Sequence, residues 1–127
     1  MIGSKTHRFA IEVLDEVMIV RLLDQEIGQG FCEPDDVGAI GEKLERLVDS
    51  SRPKALLVDF SEVEYIASMM QAMLLQVQKK VRKSGGQLRL CCLGKHVSLS
   101  FRVTGLDKLF AIHPDEQAAL DAFESGR

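Results

Sequence analysis

Residues 54–86 leave few architectures open. They begin with a short apolar run, Ala55-Leu56-Leu57-Val58-Asp59-Phe60, set between Arg52-Pro53 and Ser61-Glu62. A run so short and so uniformly apolar fits a strand buried on both faces, as in a parallel sheet covered by helices. The period then changes. Met70, Met73, Leu74, Val77 and Val81 recur at the spacing of one helical face, while Gln71, Gln76, Gln78, Lys79, Lys80 and Arg82 fall on the other. The spacing predicts an amphipathic helix opening near Ser68. Lys79, Lys80, Arg82 and Lys83 crowd its last turns, where the negative end of the helix dipole favours cations, and Gly85-Gly86 supplies the stop. Ser68 is therefore expected near the start of a helix, just beyond the C-terminal end of a strand. Open α/β sheets meet ligands and partners at that edge.

The rest of the chain extends this pattern on both sides. Residues 8–14 and 17–23 read as two strands separated by Asp15-Glu16, a polar pair suited to an antiparallel hairpin. Residues 24–33 have no period and carry Gly28 and Gly30, so they read as a loop; no Gly-Lys-Ser/Thr follows, which excludes a phosphate-binding loop. Pro34 suits a first helical position, Asp35 and Asp36 complement the dipole, and Val37, Ile40, Leu44, Leu47 and Val48 trace one face as far as Ser50-Ser51. Residues 87–93 read as a strand. Residues 95–104 read as a short helix with Val97, Phe101 and one of Leu99 or Val103 inward, capped by Gly105. Residues 109–112 read as a strand, and Pro114-Asp115-Glu116 opens a last helix whose inner stripe is Ala119, Leu120 and Phe123. The order β-β-α-β-α-β-α-β-α implies an α/β fold: an N-terminal hairpin joined to a mostly parallel sheet by right-handed crossover helices.

With 127 residues the chain is expected to be one domain spanning 1–127, with a core of about 8–124, long enough to bury roughly two-thirds of its unfolded surface. A net charge of −3 gives no general attraction to nucleic acid or to an anionic membrane. No apolar run reaches the length of a membrane span and residues 1–9 are polar, so the expected location is the cytoplasm. The three cysteines lack a Cys-x-x-Cys spacing and read as reduced packing residues; Cys91 and Cys92, neighbours on an expected strand, should point to opposite faces. No metal and no cofactor is expected.

A resemblance emerges from Val58-Asp59-Phe60-Ser61-Glu62-Val63-Glu64-Tyr65-Ile66-Ala67-Ser68, the amphipathic helix after it, Gly85-Gly86-Gln87-Leu88-Arg89-Leu90-Cys91, and Thr104-Gly105-Leu106-Asp107-Lys108-Leu109-Phe110. Together these resemble a STAS domain, most of all the anti-sigma factor antagonists, over nearly the whole chain. In that family the turn between strand and helix usually holds Asp-Ser-Ser/Thr-Gly. Its first serine is phosphorylated by an anti-sigma factor that is also a serine kinase, and the unphosphorylated form sequesters that partner and frees a sigma factor. The resemblance places the phosphoacceptor on Ser68. The family aspartate falls on Ala67, the second hydroxyl on Met69 and the glycine on Met70.

The plain structural reading of Ser68 is a helix N-cap, a role compatible with a phosphate at a helix N-terminus. Met69 lies off the apolar stripe and reads as an adaptable contact for a partner, whereas Met70 and Met73 read as core. A hydrolase nucleophile elbow needs glycine two residues either side of the serine. Ile66 and Met70 stand there instead, and His7, His96 and His113 are isolated, so no catalytic residue is assigned. The expectation is a non-enzymatic, phosphorylation-switched anti-anti-sigma factor that binds an anti-sigma factor/serine kinase, as a monomer or weak homodimer. Its contact residues are Ala67, Ser68, Met69, Gln71 and Ala72, joined by Asp24 and Glu26 of the loop at 24–31 and by Gly94 and Lys95. The alternative is an unphosphorylated STAS scaffold subunit of a signalling complex or lipid-transport machine.

Overall fold

The computed structural model describes residues 9–23, 26–27 and 34–125; for 26–27 and 34–40 the backbone alone is described. Strands β1 (Phe9–Leu14) and β2 (Val17–Leu22) form the expected antiparallel hairpin. Asp15 and Glu16 both adopt left-handed φ, 49° and 70°, which gives the turn the backbone twist that matches two right-twisted strands. Strand β3 (Glu26–Ile27) follows, then helix α1 (Pro34–Ser51), strand β4 (Ala55–Asp59), strand β5 (Tyr65–Ile66) and helix α2 (Ser68–Lys83). Strand β6 (Gln87–Cys91), helix α3 (Lys95–Thr104), a 3-10 turn at Leu106–Lys108, strand β7 (Ala111–His113) and helix α4 (Glu116–Ser125) complete the order.

The sheet runs β1-β2-β4-β6-β7, with β1 antiparallel to β2 and every other pairing parallel. β4, in the middle, is buried on both faces, as its unbroken apolar run requires. Leu56 and Val58, with Val20 and Leu22 of β2 and Leu88 and Leu90 of β6, face a core closed by α1, α2 and α3. Leu57, Val17, Ile19 and Cys91 face the opposite side, where Ala119 and Phe123 of α4 cover them. Within the larger core Phe101 packs edge-on against Phe60 and Phe110, with centroids 6.2 and 5.8 Å apart.

Several expectations change. The stretch at 24–33 is not wholly a loop, because Glu26–Ile27 pairs in parallel with Tyr65–Ile66; two residues are too short to show a period. Gln71 and Gln78 are not on the outer face of α2 but buried, at 1% and 5% exposure. Leu99 and Val103 are both exposed, leaving Val97 and Phe101 as the inner face of α3. Leu109 precedes β7 and is exposed; the buried residue there is Phe110. The side chains of Val37 and Ile40 lie outside the described residues.

Gly86 sits in the turn from α2 into β6, where a Cβ would collide with the Pro53 carbonyl oxygen and crowd Val81. Only glycine lets the two chain segments meet there. Gly85 and Gly105 hold left-handed φ of 87° and 79°, the latter at the expected end of α3. Among the described residues no helix is long and apolar enough to cross a membrane.

Candidate functional site

The C-terminal ends of β2, β4 and β6 lead in turn to β3, to β5 with α2, and to α3, so one edge of the sheet gathers all three. α2 begins at Ser68, the first helical residue. Ala67 is its N-cap, in extended conformation (φ −77°, ψ 152°), with no side-chain capping bond. Ser68 therefore does not fill the N-cap role that its hydroxyl suggested. The backbone oxygen of Ala67 accepts from the N–H groups of Met70 and Gln71 at 3.0 and 3.2 Å. The N–H groups at 68 and 69 are those an α-helix leaves without an internal partner. No acidic residue occupies the first turn, so the positive end of the helix dipole is not offset there by the helix's own side chains.

Ser68, Met69 and Ala72 are exposed, Met69 at 52%, while Ala67 is half-buried. Met70 anchors the turn from below at 0% exposure. Gln71 departs from the expected contact set. Its amide nitrogen donates to Ser100 Oγ at 2.6 Å and its amide oxygen accepts from Thr104 Oγ1 at 3.0 Å. The side chain thus ties α2 to α3 rather than facing a partner. Gln78 does similar work one face-repeat later, donating to the Leu109 carbonyl at 3.1 Å. The signal was present in the sequence, because Gln71 and Gln78 are seven residues apart and flank Leu74 and Leu75 on one side of the helix.

A second link was not visible beforehand. Tyr65 of β5 stacks on His96 of α3, rings 4.7 Å apart and inclined by 26°. This aromatic pair brings the start of α3, with exposed Gly94 and Lys95, against the strand that leads into Ser68. The β3–β5 pairing brings the backbone of Glu26 to the same place. Asp24 and His7 lie outside the described residues. A cleft bordered by Asp15, Val17, Lys54, Gln87 and Phe123 opens at the opposite edge, beside the strand starts.

A charged cluster lies under α4. Arg21 donates to both carboxylate oxygens of Glu116, at 2.8 and 2.9 Å, and to Glu12 at 2.7 Å, with Asp59 Oδ2 at 3.8 Å. Burial pushes the Asp59 carboxyl up, but hydrogen bonds with Glu116 and Ser61 and the charge of Arg21 outweigh it and hold the group below its usual range. Glu116 is pulled down by Arg21, yet its contact with Asp59 and its burial leave it above the usual carboxylate range. The sequence hint was an arginine at an inward position of an otherwise apolar strand.

Ser68, Met69, Ala72, Gly94 and Lys95 fall inside residues 36–119, the part of the chain that matches the STAS domain family model, and Glu26 lies before it. BtrV of Bordetella bronchiseptica, which bears the name of an anti-sigma factor antagonist, is 29% identical over 97 residues, covering 76% of this chain and 83% of that protein. The crystal structure of an anti-sigma factor antagonist from Mycobacterium paratuberculosis superposes with a TM-score of 0.79 at 25% identity, covering 98% of this chain and 99% of that one. The structure of an anti-sigma factor antagonist (STAS) domain protein from Planctomyces limnophilus shares the fold, with a TM-score of 0.73 at 18% identity and coverage of 91% and 96%. The match at residues 36–119 takes in well over half of the sequence, so the chain belongs to the STAS domain family.

Proposed function

We propose that this STAS domain is an anti-sigma factor antagonist that docks an anti-sigma factor through the N-terminal turn of α2 and is switched by phosphorylation of Ser68. The observation that carries the reading is the exposure of Ser68 as the first residue of α2, at the edge where β3, β5 and the start of α3 converge. The contact surface comprises Ser68, Met69 and Ala72, rimmed by Gly94, Lys95 and the backbone at Glu26. Relatives named as anti-sigma factor antagonists support the choice of partner.

The switch is electrostatic. A phosphate adds about −1.5 to −2 charges and three acceptor oxygens. In the free domain those oxygens face water at the positive end of a helix, so the fold has no reason to change. In a complex the same group is desolvated, and an unpaired buried charge costs about 2 to 5 kcal/mol, a loss of tens- to thousands-fold in affinity. The unmodified serine, small and uncharged, leaves Met69 free to pack against the partner.

Incubation with the anti-sigma factor kinase of the same genome and ATP, followed by intact mass measurement, tests this. Wild type gains one phosphate and Ser68→Ala gains none. A phosphate that persists on the variant moves the site elsewhere. The exposed Met69, where the family has a hydroxyl, favours a second reading: a scaffold subunit bound constitutively through the same turn. A stable complex with no phosphate on wild type selects that reading.

A further inference from the structure

We propose that Cys91, Cys92 and Asp59 form a binding site for a thiophilic divalent cation of the zinc type, independent of the docking turn. Strand alternation would send the two thiols to opposite faces of the sheet. The chain prevents this: β6 ends at Cys91, and Cys92 takes a left-handed φ of 64°, a conformation that a non-glycine residue seldom adopts. Both sulfurs then lie on the α4 side, 3.6 Å apart. That spacing suits chelation. Two thiolates bonded to zinc at about 2.3 Å and separated by 3.6 Å subtend roughly 103°, close to the tetrahedral angle.

The third ligand comes from the neighbouring strand. A carboxylate oxygen of Asp59 and the two sulfurs all lie within 4.8 Å of one another. Asp59 Oδ1 accepts from the Ser61 N–H at 2.7 Å, which orients the group as an outer-shell partner orients a metal ligand. Asp59 Oδ2 stands 3.8 Å from Arg21 Nε, beyond hydrogen-bond length. Cys91 is buried and Cys92 half-buried, so Cys92 is the thiol within reach of solvent.

On the same face Arg21 is engaged by Glu116 and Glu12, Arg89 lies over the Phe123 ring and against His113 Nε2, and the His113 carbonyl accepts from the Cys92 N–H at 3.2 Å. Cysteine binds a metal as the thiolate, whereas a metal-free thiol carries its proton at neutral pH. Binding therefore breaks two S–H bonds, forms two sulfur–metal bonds and releases two protons to solvent, so affinity rises with pH. The metal stays divalent, and no oxidant or reductant is needed.

Cobalt(II), a coloured stand-in for zinc, reads the site directly. Titrated into the reduced full chain, it should give sulfur-to-cobalt charge-transfer absorption saturating at one equivalent, with two protons released, and zinc should abolish the signal. Cys92→Ser should remove that absorption and lower affinity more than about 100-fold, beyond the cost of an outer-shell change. Asp59→Asn should weaken binding while keeping the sulfur bands; if that variant fails to fold, the half-buried Cys92 still decides the matter. Absence of charge-transfer absorption at a large excess of cobalt, or equal binding by Cys92→Ser, overturns the site.

Discussion

Gln71 shows how one buried amide can hold two helices in place. Both ends of its side chain are satisfied by hydroxyls of α3, Ser100 and Thr104, at a position 1% exposed. Truncation removes both bonds and the buried packing of the side chain, so Gln71→Ala should lower unfolding stability by about 1–3 kcal/mol in urea titration. A change within a few tenths would show that the bonds carry no net energy. His113 gives a pH signature. Burial and the nearby Arg89 push its pKa below the ordinary histidine value, and its Nε2 lies 3.1 Å from Arg89 Nη1, where the neutral ring accepts. A depressed folded-state pKa means that the unfolded chain takes up the proton first. The contribution of His113 is therefore complete above about pH 6.5 and is lost as pH falls below it. Denaturant midpoints measured from pH 7.5 to 5 should fall more steeply for wild type than for His113→Asn; parallel profiles would assign the slope to other groups.

At the scale of elements, strain sits in the connections. Asp15 and Glu16 hold left-handed φ without being glycine, at a cost of roughly 1–2 kcal/mol each, relieved partly by the polar side chains. Glu16→Gly should raise stability by up to about 1 kcal/mol, less the extra chain entropy of glycine. Gly86→Ala should do the reverse, because a Cβ there meets backbone rather than a side chain that can swing away. Both are read from denaturant midpoints. These connections also mark where sequence reasoning stopped. The β4–α2 unit was legible because the period switches from an unbroken apolar run to a helical stripe between Phe60 and Ser68. The β3–β5 pairing was not, since two residues carry no period. Cys92 was misplaced because a left-handed non-glycine residue leaves no trace in composition. The glutamines were misplaced because polarity alone was taken for exposure, although their spacing put them beside Leu74. Of the candidate site, Ser68 and Met69 were placed at the surface correctly, and the Tyr65–His96 stack that joins α3 to it could come only from coordinates.

Across the whole molecule, the packed core is separate from the turn proposed to meet a partner. Phe60, Phe101 and Phe110 lock α3 and the approach to β7 onto the sheet, and Phe101→Ala should cost about 3–5 kcal/mol with a single unfolding transition. The proposed docking turn carries little of that load, since Ser68, Met69 and Ala72 are all exposed. Charge at residue 68 can therefore change binding without changing the fold. The direct test is calorimetric titration of the anti-sigma factor of the same genome with wild type, Ser68→Ala and Ser68→Glu, each first shown to unfold at the same denaturant midpoint. Ser68→Ala should bind within a few-fold of wild type, and Ser68→Glu should bind at least about ten-fold more weakly, a penalty of 1.4 kcal/mol or more. Equal affinities for all three proteins would place the interface elsewhere on the domain and contradict the proposed switch.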